Sequence, residues 1–169
     1  MDGIVPMIPQ VLSKGCWAAS IAMIKSWAKQ HSMSIEAALA EGGQSYLDKY
    51  TNNTGLQPNE VATFMQDFSL RDASIGALTA DGLAKQIKER GPLWVIADQD
   101  ASVSFSAHAR VITGIVGDGT TKGTKVIFND PAKDQPSEET LMQLITELEE
   151  LAEGISSAFG GFAPQILSI

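Results

Sequence analysis

Cys16 is the one cysteine of the chain, and an apolar run begins directly behind it. Ala18, Ala19, Ile21, Ala22, Ile24, Trp27 and Ala28 recur at the three- and four-residue spacing of a core-facing helix. Gly15 breaks the segment in front, which places Cys16 at the first turn. Unpaired N–H groups and the positive end of the helix dipole favour an anion there, and a thiolate is an anion. A free thiol with a pKa of about 8.5 is mostly un-ionised at neutral pH, and a helix N-terminus or a neighbouring imidazolium lowers that value. The bland reading is a small buried hydrophobe, the usual fate of a free cysteine. The polar residues elsewhere decide between the two.

Two β-branched runs, 109–116 and 124–128, are joined by a Gly-rich segment and read as a hairpin. His108 stands at the start of its first strand and Asp130 just past the end of its second, so both come to the same end of adjacent strands. A carboxylate, or the Asn129 carboxamide beside it, bonded to one ring nitrogen would fix the imidazole and leave the other nitrogen to face a thiolate. Nucleophile, base and orienter together are the parts of a cysteine hydrolase. Read structurally, Asn129-Asp130-Pro131 is only a strand terminator. Gln10 lies six residues before Cys16, on an arm that must pass beside the helix start. Its carboxamide N–H could join the Cys16 N–H as an oxyanion donor pair, one such donor contributing about 3–4 kcal/mol in a transition state. His31 sits among Gln30, Ser32 and Ser34, where solvated capping is sufficient explanation.

The elements that must position these residues follow from the same patterns. Ile4 to Gln10, with two prolines, is an extended arm. Helices are predicted from Gly15 to about Gln30, from a Ser34 cap to Gly42-Gly43, over Ser45–Tyr50, from Pro58 through Phe68, and over Asp81–Arg90. The continuous apolar run Leu93–Ala97 suits a strand buried on both faces. After the hairpin, Ser137 reads as the cap of an amphipathic helix ending near Leu151, and Ile166-Leu167 as a last short strand. Helices first and an antiparallel sheet second make an α+β class, with residues 1–169 as a single domain.

Composition narrows the functions. The net charge is −8 with no basic stripe, which argues against nucleic-acid binding. One Cys and two His exclude a disulfide framework and a Cys-rich zinc site, so neither metal nor cofactor is expected. No apolar run reaches the length of a membrane span, and the first residues lack the basic and apolar regions of a signal peptide. The expectation is a soluble protein with no membrane association.

Gln10, Gly15-Cys16-Trp17, His108 and Asn129-Asp130-Pro131, in that order, resemble a papain-like cysteine protease. The second half, with Gly91-Pro92-Leu93-Trp94-Val95, the block from His108 to Ile115, Gly117-Asp118-Gly119-Thr120 and Asn129-Asp130-Pro131, is closer to small bacterial members found as effectors and toxin domains. It is also similar to the peptidases that process bacteriocin leaders. Two departures stand out. Lys14-Gly15-Cys16 is simpler than the pattern before the papain nucleophile, and Asp130-Pro131 replaces an Asn followed by Ser-Trp.

The resemblance implies a helical lobe over about 10–90 and a sheet lobe over about 91–169, with the site in the cleft between them. It implies a triad of Cys16, His108 and Asp130 with Gln10 in the oxyanion hole, Asn129 being the lesser candidate for orienter. Gly15, Trp17, Ser106, Ala107 and Asn129 are candidates for the cleft walls, Trp17 packing the helix into the lobe interface and Trp94 belonging to the core. Asp98–Ser106 is a candidate mobile loop at the cleft border. The implied activity is endopeptidase cleavage of a protein or peptide substrate. Deamidation, transglutamination and cell-wall amide cleavage by the same triad are the enzymatic alternatives, and a catalytically silent binding domain is the other. By analogy the protein is a toxin or effector made in a bacterial cytoplasm and delivered without a cleavable signal, with a dedicated inhibitor as partner.

Overall fold

A computed structural model of the chain describes residues 3–74, 77–98, 107–160 and 163–169. Helix α1 (Cys16–Lys29) is its spine. Trp17, Ala18, Ala19, Ile21, Ala22, Met23 and Ile24 are all buried, so α1 is enclosed nearly all round. Its N-cap is Gly15, which provides no side chain to the first-turn N–H groups.

Helices α2 (Ile35–Ala40), α3 (Gln44–Thr51) and α4 (Val61–Asp67), the last preceded by a 3-10 turn over Pro58–Glu60, surround α1. Ser34 caps α2 by accepting the Ala37 N–H, as its position before an apolar run predicts. Trp17 is fully buried in an aromatic cluster with Tyr46 and Phe64, at centroid distances of 6.3 and 6.2 Å. Phe64 in turn meets Trp94 of the sheet at 5.6 Å. Such tilted and edge-on pairs add stabilisation beyond the area they bury. Through this chain of rings the helix that begins at Cys16 is fixed to both halves of the molecule, and Trp94 is a core residue.

The strands β1 (Arg71–Asp72), β2 (Leu93–Asp98), β3 (Ala107–Gly117), β4 (Thr124–Asn129), β5 (Ser137–Thr140) and β6 (Ile166–Ser168) form one antiparallel sheet in the order β1-β6-β2-β3-β4-β5. Side chains alternate across it. Trp94, Ile96, Ala109 and Val111 share a core with α1, while Leu93, Val95, Ile112 and Phe128 share another with α5 (Ala80–Arg90) and the first turns of α6 (Leu141–Phe159). Burial on both faces is why β2 reads as a continuous apolar run. Gly91, at φ 84, makes the turn from α5 into β2; a Cβ there would lie 2.1 Å from the Trp27 ring. The sheet half closes on α1 at a point where only glycine fits.

The α+β class and the order of elements match expectation, with two corrections. Ser137 is not a helix cap. Residues 137–140 pair with 125–128 of β4 as the edge strand β5. The cap is Thr140, in a reciprocal box with Gln143, and α6 continues past Leu151 to Phe159 before Gly160 stops it. Thr140 precedes the amide of Gln143 at the three-residue cap spacing, whereas Glu139 stands only two residues after Ser137, and pairing with β4 takes Ser137 into the strand. The second correction is β1, two residues whose strand character comes from pairing with β6. Among the described residues, no helix is long and apolar enough to cross a membrane.

Candidate active site

Past Val111, which pairs with Asn129, β4 no longer covers the edge of β3. The backbone of Ala109, the residue after His108, is met there by α1 instead. The Ala109 N–H faces the Cys16 sulfur, and its C=O accepts a hydrogen bond from the fully buried Ser20 hydroxyl at 3.1 Å. Cys16 and Ser20 are one helical turn apart and share a face. The uncovered strand edge must be paired, and these two side chains pair it. This docking sets Cys16 beside the residue that precedes Ala109, His108.

Asn129 opposes Val111, so Asp130 comes level with Arg110 and on the same side of the sheet as His108. His108 Nε2 lies 2.7 Å from Asp130 Oδ1. The Asp130 side chain is buried, and the same oxygen accepts the Ala132 N–H at 2.9 Å in an Asx turn built around Pro131. With Nε2 engaged, Nδ1 is the nitrogen left for Cys16, with which the imidazole is also hydrogen-bonded.

The electrostatics follow from this geometry. Burial opposes the imidazolium, but bonds to Asp130 and Cys16 outweigh it and push the His108 pKa up to about 9. Burial likewise opposes the thiolate, yet the bond to His108, its charge and the N–H groups of Ala109 and Trp17 hold the Cys16 thiol below its ordinary value. Burial would raise the Asp130 pKa too; the bonds from His108 and Ala132 carry it below the usual carboxylate range. All three shifts favour thiolate, imidazolium and carboxylate together at neutral pH.

Cys16 and His108 open on a cleft of about 420 Å³. Trp17 and Ala107 line it with Leu56, Pro58 and Ile96, while Ser13 and Lys14 lie at its rim. Two expected wall residues lie elsewhere. Gly15 is buried beneath the cleft against the Leu12 carbonyl and Tyr50, and Asn129 donates to the Val5 and Pro6 carbonyls at 3.1 and 3.4 Å. Asn129 thus ties down the N-terminal arm while its neighbour Asp130 orients the histidine. Ser106 lies outside the described residues, as does nearly all of the Asp98–Ser106 loop. His31 is exposed at the far end of α1.

Gln10 is tied to the residue after Asp130 by its own N–H, which donates to the Pro131 carbonyl at 2.8 Å. Its Nε2 donates to the Ser13 carbonyl at 3.3 Å, and its Oε1 is buried with no partner among the described residues. A carboxamide nitrogen carries two N–H donors, so one remains beyond the Ser13 bond.

Ser20 and Asn53 escaped the sequence reading. Ser20 is a lone hydroxyl inside an otherwise apolar helical face, one turn from the cysteine, and that misfit was the available signal. Asn53 holds Ser13 and Lys14 from across the cleft rim, and only the tertiary fold brings it there.

A thiolate paired with an imidazolium at the floor of an open cleft is equipped to attack an acyl carbon and to protonate the group that leaves. The family model described as papain-like cysteine protease AvrRpt2 matches residues 4–149, which include Gln10, Cys16, His108 and Asp130. No curated protein matches the chain significantly.

Proposed function

The chain belongs to the papain-like cysteine proteases, hydrolases of peptide bonds, and from that premise we propose that it is an endopeptidase working through Cys16, His108 and Asp130. Cys16 Sγ attacks the scissile carbonyl, and the oxygen becomes an oxyanion held by the Cys16 N–H and Gln10. The tetrahedral species collapses as His108 gives its Nδ1 proton to the departing amine, leaving a thioester. His108 then takes a proton from water, which attacks the thioester, and the carboxylic product and free thiol are released. Asp130 keeps the ring oriented and its charge stabilises the imidazolium. The two lobes act as one domain, with the substrate lying in the cleft between them.

The observation that supports this reading best is His108 bonded on one side to Asp130, at 2.7 Å, and on the other to Cys16. The biological role that fits is a bacterial effector or toxin, delivered to a target cell and restrained in its producer by an inhibitor protein. Family kinship supports that role.

The test is alkylation of Cys16 by iodoacetamide against pH, in the wild type and in His108→Ala, together with mass spectrometry of peptides incubated with each. Reaction of the wild type well below pH 7, lost in the variant, and new backbone termini in the peptides are the expected results. A thiol inert until denaturant is added would overturn the ion pair. Ammonia release from glutamine without backbone cleavage would make this a deamidase or transglutaminase instead.

A further inference from the structure

The loop between the N-terminal arm and α1 has neither helix nor strand to shape it, so point contacts set its course. Asn53 makes two of them. Its residue follows α3 in a left-handed conformation, φ 51, with its N–H returned to the Tyr50 carbonyl at 2.8 Å. This turn sends the side chain across to the loop in front of the nucleophile. Oδ1 accepts the Lys14 N–H at 2.9 Å, and Nδ2 donates to the Ser13 hydroxyl at 3.0 Å. The carboxamide thus grips two consecutive residues from about 40 positions away. The next residue, Thr54, accepts the Trp17 indole N–H at 3.2 Å, so residues 53 and 54 hold the chain on both sides of Cys16.

Ser13 is also the residue whose carbonyl takes one N–H of the Gln10 carboxamide. The contacts therefore run from Asn53 to Ser13 to Gln10. We propose that Asn53 is a positioning residue for oxyanion stabilisation: by fixing Ser13 it aims the second N–H of Gln10 at the oxyanion site. This rests on Gln10 being an oxyanion donor. The ion pair is built on separate supports, the N–H groups of Ala109 and Trp17, Ser20 and Asp130, and the Asn53 side-chain bonds go to none of them. Loss of the Asn53 grip therefore leaves the thiolate intact and degrades only the stabilisation of the tetrahedral species. Misplacing a catalytic group by about 1 Å costs on the order of 10²-fold in rate, so a loosened donor is readily detected.

The experiment uses Asn53→Gly, because glycine keeps the left-handed backbone without strain while removing both side-chain bonds. Hydrolysis is followed with the best-cleaved sequence from a random fluorogenic peptide pool. Because the donor is misaimed rather than deleted, kcat is expected to fall about tenfold, with KM within about twofold and the alkylation profile of Cys16 against pH unchanged. Asn53→Asp should recover most of the rate, since a carboxylate accepts from both the Lys14 N–H and a rotated Ser13 hydroxyl. Gln10→Ala should lose roughly 10²-fold in kcat, and adding Asn53→Gly to it should cost nothing more. Full kcat in Asn53→Gly, a loss that adds to that of Gln10→Ala, or a displaced alkylation profile would each overturn the proposal. Full activity in Gln10→Ala would remove the oxyanion role itself, and the positioning role with it. A loss in Gln10→Ala with none in Asn53→Gly would remove the positioning role alone.

Discussion

A cysteine alone says little, and what gives Cys16 chemistry is the sum of opposed effects on three ionisable groups. Burial disfavours each charge, and mutual pairing more than restores it. The signs fix the pH dependence. In the proposed mechanism activity requires thiolate with imidazolium: it should be lost at low pH as the thiol, held below its ordinary value, takes up its proton, and at high pH as His108 loses its own near pH 9. A plot of kcat/KM against pH should be a bell whose alkaline limb lies near 9, and in Asp130→Ala that limb should move toward lower pH. The same variant should lose roughly 10²-fold in kcat, the scale of general acid–base assistance, because the ring is no longer held for proton transfer. Titrating peptide hydrolysis in both proteins checks limb and magnitude together; an unmoved limb would mean that Asp130 does not bear on His108.

At the scale of elements, the site exists because α1 docks on the strand edge that β4 leaves uncovered. Ser20 makes that contact, and its hydroxyl is the buried partner of the Ala109 carbonyl. Ser20→Ala removes only the hydroxyl and strands that carbonyl, which should cost about 1–3 kcal/mol of stability. It should also weaken the reaction of Cys16 with iodoacetamide below pH 7, since α1 no longer seats squarely beside His108. Urea unfolding and alkylation measured on one preparation test both effects. A stability loss with unchanged alkylation would reduce Ser20 to a packing residue. At the other end of the sheet, Thr140→Ala removes the α6 cap and should cost about 1 kcal/mol with no change at Cys16, which separates local from site-directed effects.

Across the whole molecule, Arg110 joins strand, edge and helix. It is fully buried, bonds Glu139 of β5 at 2.8 and 3.2 Å and Glu147 of α6 at 2.6 Å, and lies 4.1 Å from the Phe128 ring centroid. It stands two residues from His108 on β3, so the strand presenting the imidazole is anchored by this ion triad. Arg110→Met fills similar space but leaves two facing carboxylates without their cation, at a cost of about 3–5 kcal/mol. Burial already raises the Glu147 pKa in the wild type. Without the guanidinium the Glu147 carboxyl would titrate higher still, so the deficit should be largest at pH 7 and smaller near pH 4, where its protonation relieves the repulsion. Urea midpoints at the two pH values decide the matter, and an equal deficit at both would assign the loss to packing.

The sequence by itself determined most of the elements and singled out the candidate residues for chemistry. Periodicity marked α1, the continuous run at Leu93–Ala97 marked a strand buried on both faces, and the hairpin placed His108 and Asp130 at a common end. These are local patterns, written in spacing and turn chemistry. Tertiary structure decided whatever depends on partners distant along the chain. Pairing with β4 turned residues 137–140 into an edge strand, and pairing with β6 made a strand of Arg71-Asp72. Asn129, adjacent to the orienting carboxylate, was drawn to the N-terminal arm instead. Asn53 carries no pattern of its own and Ser20 only its misfit in an apolar face; each became a holding point because the fold set an unpaired backbone group or a shapeless loop within reach of its side chain.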